Sequence, residues 1–358
     1  MKMKLSTIAL ICTAFLSTML NLTPTQAWIR GSVDLFAVLP PGSTGPEGLA
    51  VGPDGNVYVT TFGFNAAGPV AGLGQLYVFG QNGKLIRQVS IAGSSSHLLG
   101  IGFHPTTHAL LVIDFGNAKV LNVNPNTGAS SVFMTVPTPP ASTGLNALTF
   151  DKAGSVYVSD SFNGVVWKTG PSGSGGGNAT AWVTDPLLAT TGVPPFGANG
   201  LGFNKAGDTL FVANTGNDTI VKIPVNGGSP GKPEVFVNSI NGADGLVLDS
   251  DDNLWVVANQ ADEIVVVDPT TGKAIAKLGD FNGFDKTGVP QGLLFPASPD
   301  FSKDGNFLYV SNLALDLRLF NQSFQSVDSE WTHQVQRYTI SRIKARIPPV
   351  GPGSGNPE

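Results

Sequence analysis

From residue 33 onward the chain is a succession of short apolar runs. Each is closed by a cluster rich in Gly, Pro, Asn, Asp or Ser. Such runs, bounded by turn residues, predict β-strands rather than helices. They follow one template six times. An apolar pair comes after a glycine, a turn follows four residues later, and a second strand ends in a small residue with Asp or Asn. The first copy reads Glu47-Gly48-Leu49-Ala50-Val51, then Pro53-Asp54-Gly55, then Val57-Tyr58-Val59-Thr60. Further copies open at Leu99, Asn146, Asn199, Asp244 and Ala297, at spacings of 52, 47, 53, 45 and 53 residues. A period of roughly 40–50 residues built from short strands predicts a β-propeller.

Four strands are legible per repeat. In the fourth they are 201–203, 209–213, 219–223 and 234–237; in the fifth, 246–248, 254–258, 263–268 and 274–278. The sixth repeat offers 307–311 and 334–340 but no fourth strand. An orphan run, 33–39, precedes the first repeat. Its Asp34-Leu35-Phe36-Ala37-Val38 resembles the fourth strands Ser131-Val132-Phe133-Met134-Thr135 and Glu234-Val235-Phe236-Val237. The fold class expected is therefore all-β: a six-bladed β-propeller closed by the N-terminal strand. Closure of this kind removes an exposed sheet edge.

Composition narrows this picture. The chain has 358 residues with 45 Gly and 26 Pro, which suits a turn-rich β protein, and a ring that closes only when complete argues for one domain. The net charge of −5, without a basic stripe, excludes nucleic acid as a partner. Residues 1–27 read as a secretory signal, with Lys2 and Lys4, an apolar core at 5–20 and a cleavage site at Thr25-Gln26-Ala27. A membrane anchor is the alternative. Ser and Thr interrupt the short apolar run, so cleavage is expected, with no membrane insertion afterwards. The protein should then be secreted or periplasmic. Cys12 is the one cysteine and would leave with the signal, so neither disulfides nor thiol chemistry are expected. The propeller should span 28–347, the Gly/Pro-rich tail 348–358 should be disordered, and the protein should be a monomer.

Propeller geometry places the start of every first strand on one face. The loops between second and third strands and the links to the next blade share that face. The long segments 62–74 and 313–333, with the links 137–144, 184–198 and 279–296, therefore crowd it, as around a binding site on a rigid scaffold. The six residues opening the repeats should aim at the central channel there. Four are oxygen donors: Glu47, Asn146, Asn199 and Asp244. An all-oxygen set without His or Cys suits a hard divalent cation, Ca²⁺ above all, with oxygens at about 2.3–2.6 Å. The plain alternative is that channel positions are wet and polar by default.

These motifs resemble the senescence marker protein/gluconolactonase family of six-bladed propellers. The pieces that carry the resemblance are Pro46-Glu47-Gly48-Leu49, Leu145-Asn146-Ala147-Leu148, Asn199-Gly200-Leu201 with the run from Gly207 to Asn214, and Asp244-Gly245-Leu246 with Leu254-Trp255-Val256. The resemblance implies that Glu47, Asn146, Asn199 and Asp244 hold a divalent metal. It also implies that the metal polarises a lactone carbonyl and that Asp244 is the catalytic proton carrier. The family's Arg two residues before the blade-three Asn, and the Asp after it, are here Gly144 and Ala147. That removes the group which holds sugar acids. The expected function is hydrolysis of a small lactone or related ester. The alternatives are a non-catalytic extracytoplasmic propeller that binds a ligand or protein, and a strictosidine-synthase-like scaffold with other chemistry. His97 lies two residues before the blade-two position, where paraoxonase-like lactonases carry a general base; a loop role is its other reading. Asp114, Asp160, Asn214, Asn259 and Asn312 end second strands. They either support the metal ligands or bond local backbone in turns.

Overall fold

A computed structural model describes residues 30–170, 177–326 and 328–347. The signal at 1–27 and the tail at 348–358 lie outside the described residues. Six antiparallel four-stranded paths surround one axis. Blade one is Pro46–Val51, Val57–Thr61, Gln75–Phe79 and Leu85–Ser90; blade two is Leu98–Phe103, Leu110–Asp114, Lys119–Val123 and Ser130–Thr135. Blade three is Leu145–Phe150, Val156–Asp160, Val165–Thr169 and Thr180–Thr184; blade four is Ala198–Phe203, Thr209–Asn214, Thr219–Asn226 and Glu234–Val237. Blade five is Ala243–Leu248, Leu254–Ala258, Glu263–Val267 and Ala274–Leu278. Pro296–Phe301, Phe307–Asn312 and Thr339–Lys344 belong to blade six.

The ring closes as the sequence predicts. Val33–Val38 is the outer strand of blade six, with Val33 opposite Ile343 and Val38 opposite Thr339. Its partner is Thr339–Lys344, not the expected 334–340. A short helix, Ser329–Thr332, ends just before that stretch, and turn and bend residues fill it up to Thr339. Val335 and Tyr338, which make it look like a strand, are buried beneath the loop with Phe36, Leu39 and Leu294. Apolar faces of neighbouring blades interleave in the same way throughout; each large side chain so buried contributes about 1.5–3 kcal/mol.

Every first strand carries the same irregularity near its start. Pro46 faces Thr61 while Leu49 faces Val59, so the inner strand has one residue more than its neighbour. The same shift recurs at Leu98/Ile101, Leu145/Leu148, Ala198/Leu201, Ala243/Leu246 and Pro296/Pro299. A β-bulge leaves one residue unpaired and re-aims its side chain. Here the six bulges fall on the residues that open the six repeats. In blades one, two, four and five the residue that follows is a glycine, which lets the backbones close in around the axis. A Cβ on Gly48 would meet the Leu99 carbonyl, and one on Gly200 the Asp244 carbonyl.

Candidate functional site

The bulges bring Glu47, Leu99, Asn146, Asn199 and Asp244 into one small pocket at the channel mouth, with about 40 Å³ open to the centres of water molecules. The four polar residues are only 4–5% exposed. That volume holds an ion with a water or two. All four of the oxygen donors expected from the repeat therefore converge.

A second ring orients the first. It is made of the residues directly after the second-strand positions that pair with the bulge: Phe62, Phe115, Ser161, Thr215, Asn259 and Leu313. In blades three to five this ring is polar. Asn146 Nδ2 donates to Ser161 Oγ at 3.1 Å, Asn199 Nδ2 to Thr215 Oγ1 at 2.9 Å, and Asn259 Nδ2 to Asp244 Oδ2 at 2.9 Å. With each amide nitrogen tied back, the amide oxygens are left as the free ends. In blades six, one and two the ring is apolar.

The consequence is a set of stranded acceptors. Glu47 Oε2, Asn146 Oδ1 and Asn259 Oδ1 are buried without any hydrogen-bond partner. Leaving a buried acceptor unpaired costs about 1–3 kcal/mol each. Burial, then the nearby Asp244 charge, pushes the Glu47 carboxyl well above its ordinary value. Burial also pushes Asp244 up, opposed by hydrogen bonds from Asn259 and Asn199. Unpaired oxygens around two strained carboxylates fit a cation, which would partner the former and relieve the latter. No cluster of three or more His, Cys, Asp or Glu occurs among the described residues, so a cation here would depend on amide oxygens as well.

Other expected residues are placed less centrally. His97 packs on the rings of Phe62 and Phe64, and its Nδ1 lies 2.6 Å from the Phe62 carbonyl. It does not line the pocket. Asp114 binds Ser95 and Asn117, Asp160 binds the Gly144 and Phe162 amides, Asn214 binds the Leu187 and Ala189 carbonyls, and Asn312 binds Thr339 and Ser341. These four tie their strand ends to segments 16 to 29 residues away in the chain, and Asp114, Asp160 and Asn214 also bond the turn that follows. Asn259 differs because blade five's equivalent of them is Ala258; Asn259 stands one residue on, in the second ring. The sequence template overlooks Ser161 and Thr215, although both directly follow the Asp or Asn that ends a second strand.

An unanticipated feature lies around the pocket's mouth. Phe62, Phe64, Phe320, Phe196, Phe162 and Phe115 form a closed circuit of ring contacts. Successive centroids are 5.0, 5.2, 6.2, 5.7, 5.8 and 5.6 Å apart. They come from five separate loops. Phe320 belongs to the long blade-six loop, which also lines the pocket with Leu313, Leu315 and Leu317. This loop is pinned at its far end by a second acidic pair. Asp328 and Asp262 are 3% and 6% exposed, and Asp262 Oδ1 accepts from the Phe295 amide at 2.7 Å. Burial raises both carboxyls, and the Asp328 charge raises Asp262 further.

Comparison with known proteins agrees with this architecture. The sequence pattern of the SMP-30/gluconolactonase/LRE-like region matches residues 95–279, and that of the strictosidine synthase-like N-terminal region matches 35–62. No curated protein matches the chain. Among solved structures, a luciferin-regenerating enzyme is 13% identical over 87% of this chain and 94% of its own, with a TM-score of 0.61. A putative gluconolactonase is 17% identical over 91% and 95%, at 0.58. Regucalcin from Agrobacterium tumefaciens, a calcium-binding protein, is 16% identical over 88% and 98%, at 0.59. At such identities the likeness shows a shared six-bladed propeller.

Proposed function

The chain belongs to the SMP-30/gluconolactonase/LRE-like family, and from that premise we propose that it is a divalent-metal-dependent hydrolase of a lactone or related small ester. The observation that carries this reading is the group of stranded oxygens. Glu47 Oε2 and Asn146 Oδ1 are buried without partners beside a second carboxylate. Glu47, Asn146, Asn199 and Asp244 would hold the ion, with Ca²⁺ favoured by the all-oxygen set. When bound, it would polarise the substrate carbonyl as a Lewis acid.

The chain's own groups do the rest. Glu47 and Asp244 together supply two negative charges, which balance a divalent ion and leave the centre neutral. Ser161 and Thr215 fix the two Asn side chains. Asn259 holds the Asp244 carboxylate in one orientation. Asp244 then takes a proton from the water that adds to the carbonyl carbon. It returns that proton to the ring oxygen as the acyl C–O bond breaks, releasing a hydroxy acid. The apolar half of the second ring keeps bulk water from competing for these groups. His97 is assigned a structural role, since its Nδ1 is engaged by a backbone carbonyl. We further infer that the protein works in an extracytoplasmic compartment, on the strength of Lys2, Lys4 and the apolar stretch after them.

The test is a metal analysis of the purified protein before and after chelation, run with a panel of lactones and esters. About one equivalent of divalent metal and turnover lost on chelation are expected. Metal bound without turnover across the panel would leave a ligand-binding propeller instead. Absence of metal would sink the reading altogether.

A further inference from the structure

We propose that the substrate is a neutral, lipophilic lactone or ester carrying an alkyl or aryl tail, admitted through the phenylalanine collar. The proposal deepens the hydrolase reading and rests on it for the reacting group, not for the collar.

Three observations carry it. The first is the closed circuit of six rings. Two of its rings, Phe62 and Phe196, line the oxygen pocket, whose open volume is only about 40 Å³; contacts across the circuit, Phe62–Phe320 at 6.3 Å and Phe115–Phe196 at 6.4 Å, pack the rings closely. A substrate must therefore present its carbonyl below the collar and keep the rest of its body among the rings. The second is the state of the polar groups. The pocket's lining holds no Lys, Arg or His, so nothing there balances a substrate charge. Each of its neutral amides already commits one N–H: Asn146 to Ser161, Asn199 to Thr215, and Asn259 to Asp244. A polyhydroxylated ring would press its hydroxyls against phenyl faces with no partners, and each unpaired buried hydroxyl is penalised. The third is where apolar surface is exposed. Among the described residues, the exposed large hydrophobics outside the blades' outer strands are Val70, Leu73, Phe162, Val193, Phe320 and Trp331. All six belong to loops of the face that bears the pocket. An apolar apron around a closed aromatic mouth suits the capture of an apolar chain.

Phe162 and Phe320 are the specificity residues, being the two rings of the circuit that reach the exposed surface, at 46% and 38%. The tail would lie along them. Burying each methylene against such rings raises affinity roughly four-fold.

The experiment compares unsubstituted γ-butyrolactone, γ-lactones with 2-, 4-, 6- and 8-carbon alkyl tails, and δ-gluconolactone as the hydrophilic control. In parallel, calorimetry follows binding of the matching alkyl lactams, which resist hydrolysis. Expected are a kcat/KM that climbs steeply with tail length and lactam affinity that climbs with it, while gluconolactone stays slowest. The Phe162→Ser/Phe320→Ser double variant should flatten both series. Phe320→Leu alone should retain most of the slope. Turnover with a flat or inverted tail-length series would overturn the lipophilic substrate and leave the hydrolase reading standing. No turnover, but lactam affinity rising with tail length, would overturn the hydrolase and keep the apolar ligand. Flat lactam binding without turnover would overturn both.

Discussion

Glu47 is the most informative residue to perturb, because the structure assigns it opposite effects in the presence and absence of metal. Its carboxyl is 5% exposed, one oxygen has no partner, and Asp244 lies close enough to push its proton affinity up. Without metal, the folded protein therefore holds Glu47 protonated at pH values where the unfolded chain releases the proton near its ordinary 4.5. The folded state binds more protons than the unfolded state, so stability falls as pH rises from about 4.5 toward the raised value. Each pH unit costs about 1.4 kcal/mol. Glu47→Gln has the shape of the protonated acid and carries none of this pH dependence. For a fold of this size, 1 kcal/mol moves the melting temperature by about 1.5 °C. In chelator, Glu47→Gln should thus melt together with wild type near pH 4.5 and gain on it by up to about 2 °C for each pH unit above that, until the raised value is passed. With excess Ca²⁺ the order should reverse, since the variant lacks one of two ligand charges. Scanning calorimetry over pH 4.5–8, with and without chelator, reads all of this. A variant less stable than wild type in chelator at pH 7, yet still fully stabilised by Ca²⁺, would show that Glu47 is neither a strained acid nor a ligand.

Three further outcomes follow from the same geometry. Asp244→Asn and Glu47→Gln should both abolish turnover, but excess metal should restore part of the activity only to Glu47→Gln, because a neutral amide cannot accept the proton; equal rescue in titrations of activity against metal would reduce Asp244 to a plain ligand. Asp262→Asn should flatten the fall in thermal stability above about pH 4, since the raised Asp262 and Asp328 carboxyls make the folded state the stronger proton binder, and an unaltered pH profile of melting would refute the loop latch. Deleting residues 30–38 removes the outer strand of blade six, so limited proteolysis should then cut within 339–344 first; unchanged resistance would contradict closure by that strand.

Local pattern and tertiary arrangement contributed differently to this protein. The six blades, their order and the closing strand were legible because strand alternation and turn chemistry are local, and because a ring repeats them with a fixed period. The four oxygen donors were legible for a related reason: equal register in a rotating repeat puts equivalent positions at one axis. The last strand was misplaced because Val335 and Tyr338 are buried by a loop, and burial of that kind leaves the same apolar trace as a strand. Asn259 was set one position out of register because blade five ends its second strand in Ala258, so counting from Asp or Asn residues slipped by one. Only the folded ring decided how the donors are used. The bulge that turns each side chain inward is a mismatch between two strands and leaves no mark on either alone. The hydroxyls of Ser161 and Thr215 matter only because folding sets them beside Asn146 and Asn199. The collar is the extreme case. Residues 62 and 115 hold equivalent places in their blades, but 64, 162, 196 and 320 share no register with them, and all six become one apolar ring because five loops rise from the same face.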